Sequence, residues 1–211
     1  MKGETIVTEN HSVDRRIART RLAIRDALVA LIKGKGFDAL TVKDIVDRAN
    51  INRGTFYLHY NDKLDLLEQT ETEILQDLQH IFLQANSIHV EDFNGTDQLQ
   101  GLVVTLLEYV KERAELMHAI LGLQGDYSFI TRVRRLMEQN LKLGALSGLK
   151  TENFSVPQEY LIAYLLHAHL GVLQSWLVSG CKESPQEMVR ILFRLSFDGP
   201  IRATGYGANK S

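Results

Sequence analysis

Residues 41–60, TVKDIVDRANINRGTFYLHY, contain two short helical patterns in succession, and this stretch decides the fold. Thr41 precedes the first pattern and Asp44 follows three residues later, so the hydroxyl and the carboxylate can each satisfy an amide at the helix start. The second pattern runs from Arg53 to Tyr60, with Asn52 as its N-cap. A tight turn between two such helices predicts a helix-turn-helix.

The two helices have an apolar inner side and a polar outer side. The inward positions are Val42, Ile45, Val46, Ala49, Ile51 and Phe56. The outward positions of the second helix are Arg53, Gly54, Thr55, Tyr57, Leu58 and His59. Arginine can pair with guanine, hydroxyls can reach phosphate, and glycine permits close approach to a duplex. Lys43 and Lys63 flank this surface as expected phosphate contacts, although an ordinary helical hairpin with solvated charges fits the spacing too.

A basic first helix is predicted from Arg15 to Lys35. Residues 13–63 carry eleven lysines and arginines against six aspartates and glutamates, whereas the whole chain has a net charge of −2. Such asymmetry predicts that the N-terminal part faces phosphate. We expect the main phosphate-neutralising residues of this helix to be Arg15, Arg16 and Arg19.

Apolar residues recur at helical spacing along the rest of the chain, which predicts an all-α protein. A fourth helix begins after the N-cap Asp62 and reaches about Ala85, and a loop follows at 86–96. Further helices are expected at 97–113, 114–122, 127–147, 157–179 and 185–198. The expected domains are a flexible N-terminus at 1–12, a three-helix DNA-binding domain at 13–62, a helical-bundle regulatory and dimerisation domain at 63–199, and a flexible tail at 200–211.

The composition limits the possible functions. Cys181 is the only cysteine, which excludes an intramolecular disulfide and a cysteine-based metal cluster. No signal peptide or uninterrupted apolar span is present, so we expect a cytoplasmic protein with no membrane partner. His167 and His169 point about 200° apart on one helix and cannot share an ion. We therefore predict no metal, no cofactor and no enzymatic activity.

The stretches Gly36-Phe37-Asp38, Leu40 to Ile45 and Asn52 to Tyr60 together resemble the tetracycline-repressor (TetR) family, as does Asn61 to Leu67. The C-terminal half also resembles one subgroup of the family, through Gly125 to Phe129, Trp176-Leu177 and Lys182 to Pro185, although the family's regulatory domains diverge widely. The resemblance implies phosphate contacts from Thr41, Tyr57, His59 and Lys63. It implies base readout from Lys43, Arg53, Gly54, Thr55 and Leu58, with Leu58 suited only to a thymine methyl.

The helix at 157–179 is apolar nearly all round and must be covered on every side. Small residues at helical spacing would let another helix approach closely. We predict a two-fold dimer through a four-helix bundle, with two helices from each chain. Its interface is expected at Ala168, Gly171, Ser175, Met188, Ile191, Leu192 and Leu195. The alternative is that these helices are central in a monomer.

Family members usually hold a small molecule inside the regulatory domain. The residues expected to line such a pocket are Tyr109, Met117, His118, Tyr164, His167 and Trp176, each of which could instead be a satisfied core or interface residue. The expected function is a DNA-binding repressor released from a palindromic operator by a small-molecule effector. The alternatives are an activator controlled by a protein coactivator, and a helical adaptor that senses no ligand.

Overall fold

The computed structural model describes residues 5–84, 96–121, 127–143 and 150–204, and every element in these ranges is helical. The predicted all-α fold is confirmed. The chain divides into two compact units, Met1–Glu73 and Ile74–Ser211. In the first unit lie α1 (Thr5–Lys35), α2 (Val42–Ala49) and α3 (Arg53–Tyr57), and α4 (Lys63–Gln84) begins there and continues into the second.

One apolar cluster holds the first unit together. Its buried members are Ile24, Ala27, Leu28, Leu40, Ile45, Val46, Phe56, Tyr60 and Leu66. Each large apolar side chain removed from water contributes about 1.5–3 kcal/mol. The cluster draws on α1, α2, α3 and α4, so these helices share a single core.

The first helix begins earlier than predicted. The prediction of a flexible segment at 1–12 and a helix start at Arg15 is wrong for residues 5–14, which belong to α1. No glycine or proline stands between residues 5 and 33 to interrupt the helical hydrogen bonds. The helix ends as predicted, at Lys35, before Gly36 with its positive φ of 75°.

The third helix is shorter than predicted and ends at Tyr57 instead of Tyr60. The chain continues as a turn, in which the N–H groups of His59 and Tyr60 both donate to the carbonyl of Phe56. Two residues before α4 begins, the N–H of Asn61 donates to Asp65 Oδ2 over 2.7 Å, which ties this turn to the first residues of α4.

A polar network joins α1 to the first half of α4. Arg21 Nη2 donates to Gln69 Oε1 over 3.1 Å and to Glu73 Oε1 over 3.0 Å. Arg25 pairs with the other carboxylate oxygen of Glu73, and Arg21 Nε donates to the Tyr60 hydroxyl over 3.3 Å. These contacts keep residues up to Glu73 in the first unit, so the predicted domain boundary at 62/63 lies eleven residues too early.

In its described residues the second unit holds six further α-helices, and all but the last two match their predicted positions closely. They are α5 (Thr96–Glu112), α6 (Ala114–Leu121), α7 (Tyr127–Leu143), α8 (Gln158–Val178), α9 (Pro185–Phe193) and α10 (Gly199–Ala203). Ser184 caps α9 as expected, since its Oγ accepts the N–H of Glu187 over 3.2 Å. Most of the predicted loop at 86–96, and the predicted end of α7 beyond residue 143, lie outside the described residues.

The C-terminal segment differs from its prediction. The expected helix at 185–198 is divided, because α9 ends at Phe193 and a π-helical turn covers Arg194–Asp198. Gly199 then takes a φ of 80°, which favours glycine. It begins α10, which extends to Ala203 and so into the tail predicted as flexible at 200–211.

α8 is a long apolar helix of which only a minor part is buried within the chain. It is long and apolar enough to cross a membrane by length and composition, and 28% of its most apolar window is buried. A core helix of a soluble protein passes the same test. The expectation that this helix is covered on every side is therefore not met by the single chain.

Candidate nucleic-acid interface

The ends of α2 and α3 are fixed by caps from neighbouring side chains. Thr41 Oγ1 accepts the N–H of Asp44 over 3.2 Å, and the N–H of Thr41 donates to Asp44 Oδ2 over 2.9 Å, forming the predicted capping box. Asn52 Oδ1 accepts the N–H of Thr55 over 2.7 Å. Asn50 turns the chain between the helices with φ 53° and ψ 47°, a region that asparagine tolerates. Short-range contacts thus set the geometry of the helix-turn-helix.

An ion pair between Lys35 and Asp44, which the sequence did not predict, strengthens the α2 cap. Lys35 Nζ lies 2.8 Å from Asp44 Oδ1. The hydrogen bond from Lys35, followed by those from Thr41, holds the pKa of Asp44 well below its ordinary value. The Thr41 hydroxyl also donates to Asp44 Oδ2 over 2.6 Å. The N–H and the hydroxyl of Thr41 therefore both donate to Asp44 Oδ2. Either group would have to leave Asp44 in order to donate to phosphate, as predicted for Thr41.

The outer face of α3 is oriented by a buried aromatic residue. Phe56 is completely buried, whereas its neighbours Tyr57 and Leu58 are 47% and 82% exposed. The Tyr57 ring meets Phe56 edge-on, with centroids 5.5 Å apart and planes at 89°. His59 is half-buried, with its ring centroid 6.3 Å from that of Tyr60. Anchoring Phe56 in the core presents Tyr57 and Leu58 to solvent, as the sequence predicts.

Two of the predicted contact residues bind each other. Arg53 Nη2 donates to the Tyr57 hydroxyl oxygen over 3.1 Å, and Nε lies 3.4 Å from the same oxygen. The guanidinium carbon is 5.6 Å from the centre of the Tyr57 ring. Both residues are exposed on one face of α3.

Thr55 takes part in the Asn52 cap, and Gly54 lies beside that cap. The Thr55 hydroxyl donates to Asn52 Oδ1 over 3.0 Å and its side chain is half-buried. Gly54 is exposed, and a Cβ there would lie 3.3 Å from Asn52 Oδ1. A side chain at 54 would crowd the cap, so glycine suits this position at the helix start. The close approach to DNA expected of Gly54 stays a prediction.

The predicted phosphate-binding cations fall into two groups. Arg15, Arg16, Arg19 and Lys43 are exposed. Lys63 is half-buried and donates to the backbone carbonyls of Phe37 over 3.1 Å and Asp38 over 2.9 Å. Those bonds use two of its three ammonium protons. Lys63 therefore ties the start of α4 to the α1–α2 turn in addition to any contact with phosphate.

Three of the predicted ligand-lining residues are core residues. Tyr109, Met117 and Trp176 are at most 9% exposed. The Tyr109 hydroxyl donates to Asp77 Oδ2 over 2.8 Å, and Trp176 Nε1 donates to the carbonyl of Glu183 over 3.2 Å. Because the polar atoms of Tyr109 and Trp176 are satisfied within the fold, the core alternative describes those two residues.

The other three predicted ligand residues, His118, Tyr164 and His167, are exposed. Among them, only His167 lines the open groove of about 420 Å³ between α7 and α8. The lining residues are Arg134, Glu138, Lys142, Gln158, Glu159, Ile162, Ala163, Leu166 and His167. Arg134 Nη1 lies 2.7 Å from His167 Nε2, and Lys142 Nζ lies 2.6 Å from Glu138 Oε1. Sequence reasoning missed the α7 residues because only helix packing brings them beside α8.

The predicted dimer residues also divide into two groups. Ala168, Gly171 and Ser175 are exposed along α8, Ile191 is 39% exposed on α9, and Leu195 in the turn that follows is half-buried. Met188 and Leu192 are 3% and 8% exposed and lie inside the chain's own core. The interface prediction is wrong for these last two positions, because they lie on the inner side of α9.

The remaining candidates for chemistry in the described ranges are Cys181 and any cluster of metal-binding side chains. Burial raises the pKa of the Cys181 thiol, which disfavours the nucleophilic thiolate. No group of three or more histidine, cysteine, aspartate or glutamate side chains in the described part of the chain is placed to hold a metal ion.

Comparison with known proteins identifies both units. The family described as bacterial regulatory proteins, tetR family, matches residues 24–70, and the family described as transcriptional regulator C-terminal region, TetR_C_8, matches residues 97–198. The chain belongs to the TetR family. It is a transcriptional regulator with a DNA-binding domain.

Three curated relatives of this TetR-family chain are regulators. It is 28% identical over 178 residues to the HTH-type transcriptional repressor BepR of Brucella suis biovar 1, covering 76% of this chain and 81% of BepR. It is 25% identical over 175 residues to the uncharacterized regulator YvkB of Bacillus subtilis, covering 72% and 85%. It is 29% identical over 83 residues to YxbF of Bacillus subtilis, covering 39% of this chain and only 22% of YxbF.

Solved structures share the fold. A TetR regulator from Streptococcus agalactiae is 23% identical, with a TM-score of 0.61 and coverage of 89% of this chain and 98% of that one. The fatty acid degradation regulator FadR of Bacillus halodurans is 18% identical, with a TM-score of 0.65 and coverage of 86% and 96%. FadR of Bacillus subtilis in complex with stearoyl-CoA is 16% identical, with a TM-score of 0.58 and coverage of 84% and 98%.

Proposed function

We propose that this TetR-family regulator is a repressor that binds a palindromic operator as a homodimer and leaves it when a small molecule binds the second unit. The observation that carries the proposal is the exposed face of α3, where Arg53, Tyr57 and Leu58 point outward from a buried Phe56. An α-helix fits the major groove, and side chains on such a face can reach base edges. The similarity to the repressor BepR supports repression.

Affinity comes mainly from the exposed cations Arg15, Arg16, Arg19 and Lys43, because each neutralised phosphate releases counterions. Sequence preference comes from Arg53 and its neighbours on α3. Operator DNA lies in the bacterial cytoplasm, so the proposal places the protein there.

Dimerisation covers the bare side of α8. Tyr164, Ala168, Gly171 and Ser175 are exposed at spacings of three and four residues and so lie on one side of the helix. The last three are small enough for another helix to approach closely. A second copy related by a two-fold axis would bury this side, and Ile191 of α9 extends it. The α3 helices of the two copies must then lie about 34–36 Å apart to enter successive major grooves.

The DNA-binding test uses the whole chain and a pool of randomised duplexes. We expect the protein to enrich a palindromic sequence, and its affinity to fall by about 10³–10⁵-fold between about 50 and 200 mM salt. Arg16→Ala should reduce the salt dependence, whereas Arg135→Ala, which removes an exposed arginine from α7, should leave it unchanged. A protein that enriches no duplex at low salt would be no DNA-binding repressor.

A reporter gene placed behind the enriched sequence tests the direction of regulation. Deletion of the regulator should raise its expression. A fall in expression would instead support the activator alternative.

The effector site is proposed in the α7–α8 groove. Its floor includes Ile162 and Leu166, and its rim includes Arg134 and His167, which suits an amphiphile with an acidic group. The stearoyl-CoA bound by the structurally similar FadR of Bacillus subtilis makes that compound the first probe. This assignment is independent of DNA recognition.

Two adjacent arginines provide a matched test of the groove. Stearoyl-CoA should release the enriched duplex from the wild type and from Arg135→Ala, whereas Arg134→Ala should bind DNA normally and respond more weakly. Release that is equal in both variants would remove the groove assignment. If stearoyl-CoA does not release the duplex from the wild type, this effector class is excluded. The reporter-gene experiment would still test whether the protein is a repressor.

A further inference from the structure

Arg53 and Tyr57 form a pair on the exposed face of α3. The Tyr57 hydroxyl oxygen accepts from Arg53 Nη2 over 3.1 Å and lies 3.4 Å from Nε. The guanidinium also lies 5.6 Å from the ring centre. These contacts restrain an arginine that would otherwise sample many rotamers in solvent.

Tyr57 is itself restrained by the core of the first unit. Its ring meets Phe56 edge-on at 5.5 Å, and the Phe56 ring lies 5.7 Å from that of Tyr60. Phe56 and Tyr60 are at most 2% exposed. A continuous series of contacts therefore runs from the core through Tyr57 to the guanidinium of Arg53.

The pairing leaves a defined set of donors on Arg53. A guanidinium has five N–H groups, and the one on Nε and one on Nη2 are directed to the Tyr57 oxygen. The remaining edge consists of Nη1–H and Nη2–H, two parallel donors that match O6 and N7 of guanine. The Tyr57 oxygen acts as the acceptor and so keeps its own proton for another partner.

We propose that Tyr57 is a specificity-determining residue, whose hydroxyl positions Arg53 so that its end-on N–H pair reads a guanine. The inference rests on the proposed DNA-binding function. A phosphate contact by Tyr57 alone would support every DNA sequence equally, because phosphates carry no sequence information. A positioning role would instead raise the preference for one base pair.

The experiment measures discrimination at a single base pair. Each pair of the enriched duplex is exchanged in turn, and the pair whose exchange weakens the wild type but leaves Arg53→Ala unaffected is the one that Arg53 reads. Discrimination is the ratio of Kd for the exchanged duplex to Kd for the enriched duplex. An inactive fraction of protein cancels in this ratio.

We expect the wild type to discriminate about 5-fold to 150-fold, the range for a bidentate arginine–guanine pair. Tyr57→Phe keeps the ring and removes the acceptor, and it should lower discrimination by about threefold to tenfold, the worth of one hydrogen bond. In the Arg53→Ala background the same change should leave discrimination unaltered. Tyr127→Phe, at a tyrosine 74% exposed on α7, is the matched control and should have no effect.

Two results would overturn the inference and are distinguishable from failure of the proposed function. If Tyr57→Phe weakens both duplexes equally, Tyr57 contacts phosphate only. If it lowers discrimination equally with and without Arg53, the two residues act independently. If the wild type enriches no duplex, the DNA-binding proposal fails and this inference fails with it.

Discussion

The α3 face and the α7–α8 groove are built in different ways. On α3 the decisive contacts join residues three or four apart, such as Asn52 with Thr55 and Arg53 with Tyr57. In the groove, Arg134 meets His167 at a separation of 33 residues. Local contacts form wherever the helix forms, whereas long-range contacts exist only when two helices pack in one register. Substitutions in the second unit should therefore leave the α3 face intact. Substitutions in α7 or α8 should disturb the groove more strongly.

The largest expected effect compares two buried phenylalanines. Phe56→Ala and Phe129→Ala each remove a completely buried ring, one from each unit, and should each lower the free energy of unfolding by about 3–5 kcal/mol. Chemical denaturation measures this loss. DNA affinity of the folded protein should collapse only in Phe56→Ala, because Phe56 orients α3. Equal affinity losses in both variants would show that α3 is not set by its own unit.

The next effect concerns the bare side of α8. Gly171→Leu should convert a dimer to a monomer at micromolar concentration, because a bulky side chain at a close helix contact costs about 1–3 kcal/mol in each chain. Gly101→Leu on α5 is the control, since a Cβ at either exposed glycine meets no atom within 4 Å of its own chain. Sedimentation distinguishes the two states. A Gly171→Leu variant that remains dimeric would place the interface elsewhere.

A smaller effect separates two lysines of the first unit. Lys63→Met should lower the free energy of unfolding by about 1 kcal/mol, because it leaves the carbonyls of Phe37 and Asp38 without their donor. Lys43→Met should change stability by less than about 0.5 kcal/mol. It should instead lower the salt dependence of DNA binding by about one ion for each phosphate that Lys43 neutralises. Thermal unfolding measures the change in stability, and salt titrations of DNA binding measure the phosphate contact. Equal changes for the two variants in both measurements would contradict the separate roles of Lys63 and Lys43.

The smallest expected effect compares the capping boxes of α2 and α9. The pKa of Asp44 is lowered chiefly by Lys35 and then Thr41, and that of Glu187 chiefly by the N–H of Ser184. A carboxylate with a lower pKa in the folded chain stabilises it above the ordinary pKa of about 4, and this contribution is lost as the pH falls through the folded value. Asp44→Asn and Glu187→Gln should therefore lower Tm at pH 7, with the deficit shrinking below about pH 4.

Lys35 distinguishes the two caps. In a Lys35→Met background the Tm deficit caused by Asp44→Asn should become smaller, because the ion pair is already absent, while the deficit caused by Glu187→Gln should stay the same. A deficit for Asp44→Asn that is independent of Lys35 would make the hydrogen bonds of Thr41 the dominant cause.

The sequence was sufficient to predict features that depend on neighbouring residues. The helical class, the caps at Thr41, Asn52 and Ser184, and the outward face of α3 all follow from spacing within one or two turns. The errors lie at the start of α1 and at the end of α3, where the sequence carries no clear capping signal. The shift of the domain boundary to Glu73 arose because an ion pair between α1 and α4 is invisible in either helix alone.

Residue types and their periodicity thus determined that this chain forms helices and which side of each helix is apolar. Only the tertiary structure decided which apolar or polar side meets a partner. It buried Met188 and Leu192 within the chain, satisfied Tyr109 with Asp77, and brought Arg134 to His167. The physical reason is that periodicity fixes direction around one helix axis, whereas contact between helices depends on their relative rotation and displacement, which the whole core sets together.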